Sequence, residues 1–245
     1  MSHWSLSNFA AGKFDSRDNL RLSGSFELAS IFQWALPQQC ALCAAPCGRL
    51  QVCAPCSTAL PRIGKACPRC ALPAPGAAVC GACLARPPPF VAAFAAFAYA
   101  FPLDRLMQAF KYGARLSHAD FFAEALSARV AQRSSGTAWP DVLLALPLAP
   151  SRQRARGFDQ AAEIARRVAR ITGVPLTAGM RRTRDTPAQA ALPWKDRAKN
   201  VRGAFVFETE VYETELYETE VADSALAGRR VAIVDDVMTT GATLA

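Results

Sequence analysis

Eight cysteines fall into four Cys-x-x-Cys pairs: Cys40–Cys43, Cys53–Cys56, Cys67–Cys70 and Cys80–Cys83. Nine residues separate the two pairs of each set. Two short turns, each presenting two thiolates, supply the tetrahedron of soft ligands that zinc prefers, and two copies at one spacing argue against coincidence. A redox pair is the rival reading, but such a motif normally occurs once, at a helix start. All nine cysteines lie between Cys40 and Cys83, and Cys47 is left over as a spare thiol. In a reducing cytosol such clusters point to metal rather than to disulfides. With every position of the tetrahedron filled by protein, the metal is expected to hold together a module too small to own a core.

Residues 1–25 mix polar and charged side chains without the central apolar run of a secretory signal, so they read as a disordered leader. No uncharged apolar stretch reaches the roughly 20 residues that cross a bilayer. The expectation is a cytoplasmic protein with no membrane insertion. Residues 26–36 carry apolar side chains at helical spacing, so residues 26–86 read as a short helix plus a double zinc ribbon. Arg86-Pro87-Pro88-Pro89 then forms a stiff connector.

Residues 90–245 alternate apolar and amphipathic segments. A strand or small hairpin is expected at 91–101, helices at 102–111 and 117–132, and a strand in DVLLALP (141–147). A helix follows at 158–172, with Ile164, Val168 and Ile171 on one face and Gly173 closing it. Short strands are expected near 174–178 and 203–207, and VAIVDD (231–236) reads as a buried strand. This alternation predicts an α/β fold with a mostly parallel sheet flanked by helices. Residues 208–222 repeat ETEVY, ETELY and ETEVA, a period of five that reads as a surface insertion without catalytic role.

The net charge of +8 is uneven. Residues 40–89 hold five basic residues and no acid, whereas 208–223 hold seven acids and no base. Anionic partners near the basic parts are one explanation, and ordinary solvated arginine is the plainer one. Whether the basic ribbon holds nucleic acid or protein stays open at this point.

The segment Val231 to Thr243 carries the most chemistry. An apolar strand ends in Asp235 and Asp236, and Val237, Met238, Thr239, Thr240, Gly241, Ala242 and Thr243 turn into a helix start. Amides at such a turn converge on an anion, and threonine hydroxyls add donors. The paired carboxylates make sense beside a phosphate if their partners are ribose hydroxyls or a magnesium ion. A receiver domain also has an acidic pair after a strand, but not the Thr-Thr-Gly-Ala-Thr that follows here, and the Gly-Lys-Ser/Thr of a Walker loop is absent.

This segment resembles the phosphoribosyl pyrophosphate signature of type I phosphoribosyltransferases. With the cysteine pairs, LMQAFKYGARL (106–116), PLAPSRQRARGFDQA (147–161) and RRTRDTPAQAALPWKDRAKNVRGAF (181–205), the chain resembles the ComF family, including GntX-like members. The family commonly has Asn at the position of Asp159. Relatives usually continue through the helix after the phosphate loop and at least one further strand, so the domain is expected to be incomplete at Ala245.

The resemblance implies a type I phosphoribosyltransferase fold behind a double zinc ribbon, phosphoribosyl pyrophosphate and Mg2+ as ligands, and a link to competence machinery and DNA uptake. Asp235 and Asp236 would be the catalytic carboxylates. Arg154 and Arg156 would meet pyrophosphate through their planar forks, with Lys111 and Arg184 as weaker choices. Solvated arginines at a helix start explain Arg154 and Arg156 equally well. No general base stands out: His3 lies in the leader, and His118 reads as a surface helix residue. Two functions follow. One is an enzyme moving phosphoribose onto a nitrogenous acceptor. The other is a non-catalytic sensor of phosphoribosyl pyrophosphate that binds single-stranded DNA, with Phe90, Phe94, Phe97 and Tyr99 stacking bases unless they simply fill the core.

Overall fold

A computed structural model describes residues 38–113, 115–133, 138–186, 200–207 and 226–238. The leader, the helix expected at 26–36, the acidic repeat and Thr239 to Thr243 lie outside the described residues.

The chain first builds the same turn twice. Strands β1 (Gln38–Gln39) and β2 (Pro46–Cys47) pair antiparallel. Between them the Cys40 carbonyl accepts from the Ala44 amide at 2.8 Å, and the Cys40 amide donates to the Ala45 carbonyl at 2.8 Å. Helix α1 (Ala54–Ala59) begins right after Cys53. In the second copy the Cys67 carbonyl accepts from Ala71 at 2.9 Å, the Cys67 amide donates to Leu72 at 2.8 Å, and α2 (Gly81–Ala85) begins after Cys80. Ala44 and Ala71 both take φ 59, a left-handed value that alanine adopts only when its surroundings demand it.

The larger part carries helices α3 (Leu103–Tyr112), α4 (His118–Arg133), α5 (Pro150–Arg156) and α6 (Gln160–Thr172). Its strands are β3 (Val142–Ala145), β4 (Leu176–Thr177), β5 (Met180–Arg182), β6 (Phe205–Phe207) and β7 (Val231–Val234). Strands β4, β3 and β7 form a parallel sheet in that order, with Leu143 opposite both Leu176 and Ala232. Strands β5 and β6 pair antiparallel, Arg181 facing Val206. Parallel neighbours need a crossover, and α5 with α6 supplies it between β3 and β4. The expected α/β class and parallel sheet are therefore present.

Helix α3 buries Leu103, Leu106, Met107 and Phe110, one stripe at helical spacing. Phe110 is 0 % exposed, with ring centroids of Phe122 and Phe158 each 5.6 Å away. The same cluster takes in Phe121, Leu143, Ile164, Val168 and Val234, and also Val52 and Leu60 from the first cysteine set. Polar ties reinforce that joint: Ser117 donates to Gln51 at 2.6 Å, Arg129 to the Ile63 carbonyl at 3.3 Å, and Arg49 pairs with Glu124. The second cysteine set has its own small cluster of Cys67, Cys70, Ala74 and Cys83.

Four local expectations change. Residues 91–101 form no strand, only an isolated bridge between Phe97 and Arg62, whose guanidinium lies 4.5 Å from the ring centroid. Strand β7 is not fully covered: Val234 is buried, but Val231 and Ile233 are each 38 % exposed, and among the described residues β7 is one of the two outer strands of the sheet. Ile171 is likewise exposed, whereas His118 is 1 % exposed at the start of α4, and burial holds its imidazole below its usual pKa.

Because the first ribbon and the sheet share one core, both halves are expected to melt together. Phe110→Ala should cost about 3–5 kcal/mol and Leu60→Ala about 2–5 kcal/mol in one denaturant transition. Two separate transitions, with Leu60→Ala moving only the first, would refute the shared core.

Candidate functional site

The cysteine sets come together as the spacing predicts. The sulfurs of Cys40, Cys43, Cys53 and Cys56 lie within 4.8 Å of one another, as do those of Cys67, Cys70, Cys80 and Cys83. A zinc–sulfur bond of about 2.3 Å gives a tetrahedral edge of about 3.8 Å. The Cys43–Cys53 and Cys70–Cys80 sulfur separations are 3.6 and 3.7 Å. The donor set thus fits zinc in size and softness. Backbone amides point at the first sulfur of each set: Cys53 N–H to Cys40 Sγ at 3.4 Å, and Cys80 N–H to Cys67 Sγ at 3.3 Å. Burial alone would raise these two thiols, but the amide donors outweigh it and bring both down to about 6. Cys56 is pushed up to about 12 by the neighbouring Cys53 and Cys43 sulfurs, as expected when four thiols crowd one spot without a cation. Cys47 belongs to neither cluster.

A second centre lies at the carboxyl ends of β3 and β7. The Leu146 amide donates to the Val234 carbonyl at 2.9 Å, so the two strands run side by side until Asp235 leaves the sheet. Strand β3 continues toward β4 on one side while β7 lies on the other, the kind of switch in strand order where α/β sheets open a crevice. Here the Asp236 amide donates to Asp235 Oδ1 at 2.8 Å, and Lys111 Nζ contacts Asp236 Oδ2 at 2.8 Å. Burial, then the Asp236 charge, pushes Asp235 up to about 7, and Lys111 only partly offsets this. Asp159 caps α6 by accepting from Ala162 at 3.1 Å and ties down the β3 loop by accepting from Leu148 at 2.8 Å. Burial raises its pKa, and the Asp236 charge adds to the rise.

Lys111, Asp235 and Asp236, singled out from the sequence, therefore meet. Val237 and Met238 follow directly in the chain, and Thr239 to Thr243 lie outside the described residues. Both arginines sit in the last turn of α5. Arg156 is built in: it donates to Gln160 Oε1 at 2.8 Å and lies over the Tyr112 ring, 5.0 Å from its centroid. Arg154 is exposed, and its charge helps lower Asp185, which Ser151 holds chiefly by a hydroxyl hydrogen bond of 2.9 Å. Arg184 donates to the Arg202 carbonyl at 3.1 Å.

Sequence reasoning missed Asp159 as a structural cap, although Asp just before a helical run is a recognisable start signal. It also missed Arg182 on β5. This arginine is buried, bonds Thr186, lies over the Phe205 ring and feels the charges of Asp185 and Asp235. No local motif marks it. Of the aromatics offered for base stacking, Phe97 stacks on Phe121 at 5.8 Å and serves the core.

Comparison with known proteins bears on the cysteine module and on the family. Residues 31–84 match the family model of the double zinc ribbon domain. With the two four-cysteine clusters, that match supports structural zinc. The chain is similar to the DNA utilization protein YhgH of Shigella flexneri and of Escherichia coli K12. Each is 32 % identical over 216 residues, covering 86 % of this chain and 88 % of the relative. It is also 32 % identical over 149 residues to competence protein F of Haemophilus influenzae, covering 60 % of each chain. No solved structure matches. Among the described residues, no helix is long and apolar enough to cross a membrane. An identity of this extent, together with the ribbon in its place, shows that the chain belongs to the ComF family.

Proposed function

We propose that this chain binds phosphoribosyl pyrophosphate at the carboxyl end of β7 and transfers its phosphoribose to a nitrogenous acceptor, in the service of competence and DNA uptake. The carrying observation is the Asp235–Asp236 pair leaving a parallel strand, with Lys111 Nζ 2.8 Å from Asp236. The type I phosphoribosyltransferase reading rests on this placement and on the sequence of the turn. The names of the relatives support the cellular role. Thiolate clusters fit a reducing cytoplasm.

Hard carboxylate oxygens suit magnesium, and Asp235 and Asp236 would hold it or the ribose hydroxyls. When bound, that ion offsets charge on the departing pyrophosphate. The chain's own part is positional. Lys111 orients Asp236, and Asp159 fixes the neighbouring loop. Arg156 offers a pre-set fork to phosphate oxygens, and Arg154 an exposed one. In the transfer the C1–oxygen bond breaks with its electron pair leaving on pyrophosphate. The acceptor nitrogen forms the new bond to C1 and releases its proton to water.

A second reading is a non-catalytic sensor that holds single-stranded DNA on the second ribbon. The exposed Lys65 and Arg86, in a stretch free of acids, favour it. Pyrophosphate release would decide for the enzyme. A salt-dependent DNA shift that is lost on chelating zinc, without any release, would decide for the sensor.

Calorimetry with magnesium should show heat on adding phosphoribosyl pyrophosphate. The Asp235→Ala, Asp236→Ala double variant should lose that heat while keeping its zinc, and unchanged binding would remove the site assignment. The pair should also leave a pH signature on the ligand-free protein. Asp235 titrates near 7 when folded and near its ordinary 3.8 when unfolded. Its burden is therefore absent at the acid end of this window and fully present above about pH 7. The stability of Asp235→Asn relative to the parent should grow from pH 4 to pH 7 and then level off. Parallel melting profiles for the two would contradict the raised pKa.

A further inference from the structure

We infer that His118 locks the junction of α3, α4 and the first ribbon, and that the lock holds only while its imidazole is uncharged, so that mild acid opens the junction.

His118 is 1 % exposed, and among the described residues neither ring nitrogen has a hydrogen-bond partner. The Leu106 carbonyl of α3 faces the ring, but too loosely to form a hydrogen bond. An imidazolium, with two donors and a full charge, fits such a place far worse than the neutral ring. Two further features oppose the charge. The ring stands at the amino end of a 16-residue helix, where the backbone dipole is positive. Arg115, three positions upstream, adds a like charge. Among the described residues the carboxylates on the surrounding elements are already engaged. Asp120 is held by Arg167, Glu124 by Arg49, Glu163 by Arg166 and Arg167, and Asp104 accepts from the Arg105 amide. Of the cations, Lys111 is held by Asp236, Arg129 donates to the Ile63 carbonyl, and Arg105 and Arg170 are exposed.

Three joints meet at this residue. Ser117, just before it, donates to Gln51 of the first ribbon at 2.6 Å. Asp120, two positions on, accepts from Arg167 of α6 at 2.9 Å. Leu106 lies on α3 five positions before Lys111, which reaches Asp236. A proton taken up by the ring draws it toward water, and that requires lifting the start of α4 off α3. The same movement parts Ser117 from Gln51 and frees the helix that carries Lys111. Acid thus acts on the ribbon joint and on the carboxylate centre through one side chain.

The chain holds two histidines, so in the zinc-loaded His3→Gln variant the one remaining imidazole NMR signal belongs to His118. That signal should keep its neutral position at pH 6.5, where an ordinary imidazole is half protonated. Denaturant unfolding from pH 8 to pH 5.5, with zinc content checked at each pH, then compares the parent with His118→Gln. The folded ring titrates below 6.5 and the unfolded one at 6.5, so the penalty is absent well above 6.5 and grows as pH falls through it. The parent's folding constant relative to the variant should fall by up to about tenfold per pH unit in that range. Asp235 acts in the opposite direction, but both chains carry it and it cancels. Amide exchange over Leu103–Tyr112, corrected for its intrinsic pH dependence, should quicken toward acid in the parent and not in the variant. His118→Phe takes the place of His118→Gln should the latter fail to fold. A His118 signal that titrates at 6.5 in the intact protein would overturn the inference. So would parallel stability profiles, or exchange that quickens equally in both chains.

Discussion

Phe110, wedged between Phe122 and Phe158, is the contact on which the remaining structure depends. Burying one such ring removes enough apolar surface from water to contribute roughly 2–3 kcal/mol. Its effect is also geometric. Lys111 follows it in the chain, so the packed ring sets where the ammonium begins its reach to Asp236. Phe158 stands immediately before Asp159, so the same contact places the cap of α6 and the loop after β3. Leu60 and Val52 close the cluster from the ribbon side. One hydrophobic seat thus aligns a cation, a carboxylate cap and a metal module that are far apart in sequence.

The carboxylate centre works against this stability. Asp235, Asp236 and Asp159 gather at the edge of a buried sheet, and Lys111 contacts only Asp236 directly. Nearby negative charge and burial both disfavour ionised carboxylates, and a ligand bringing a cation or hydroxyl donors would relieve both. Sites poised in this way are where proteins commonly trade stability for binding. The cysteine clusters follow the same logic with softer donors, where crowding is unfavourable for four bare thiolate charges and a zinc ion would offset them.

Much of this was legible in advance, for identifiable reasons. The cysteine pairs and the helices at Leu103–Tyr112 and Gln160–Thr172 carry signals confined to a few neighbouring residues, which spacing rules read directly. The expected strand at 91–101 failed because its alanines and phenylalanines fit several environments, and tertiary contacts turned them into an irregular wall. The apolar run of β7 suggested burial on both faces, but coverage depends on which strand lies outermost, which a local pattern cannot encode. His118 and Arg182 were missed or misread for the same reason. Their burial comes from segments distant in the chain, so no spacing rule reaches them.

The core shared by Leu60 and Val52 also bears on the order in which the molecule is made. Synthesis proceeds from the amino end, and both cysteine sets leave the ribosome well before β7 exists. Thiolates that have captured metal early present a finished apolar wall to α3 as soon as Phe110 emerges. A nascent chain short of metal would meet that helix with a floppy partner. Its unpaired strands would then stay open to chaperones and proteases for longer, so that metal supply during translation becomes a control on how much protein reaches its folded form.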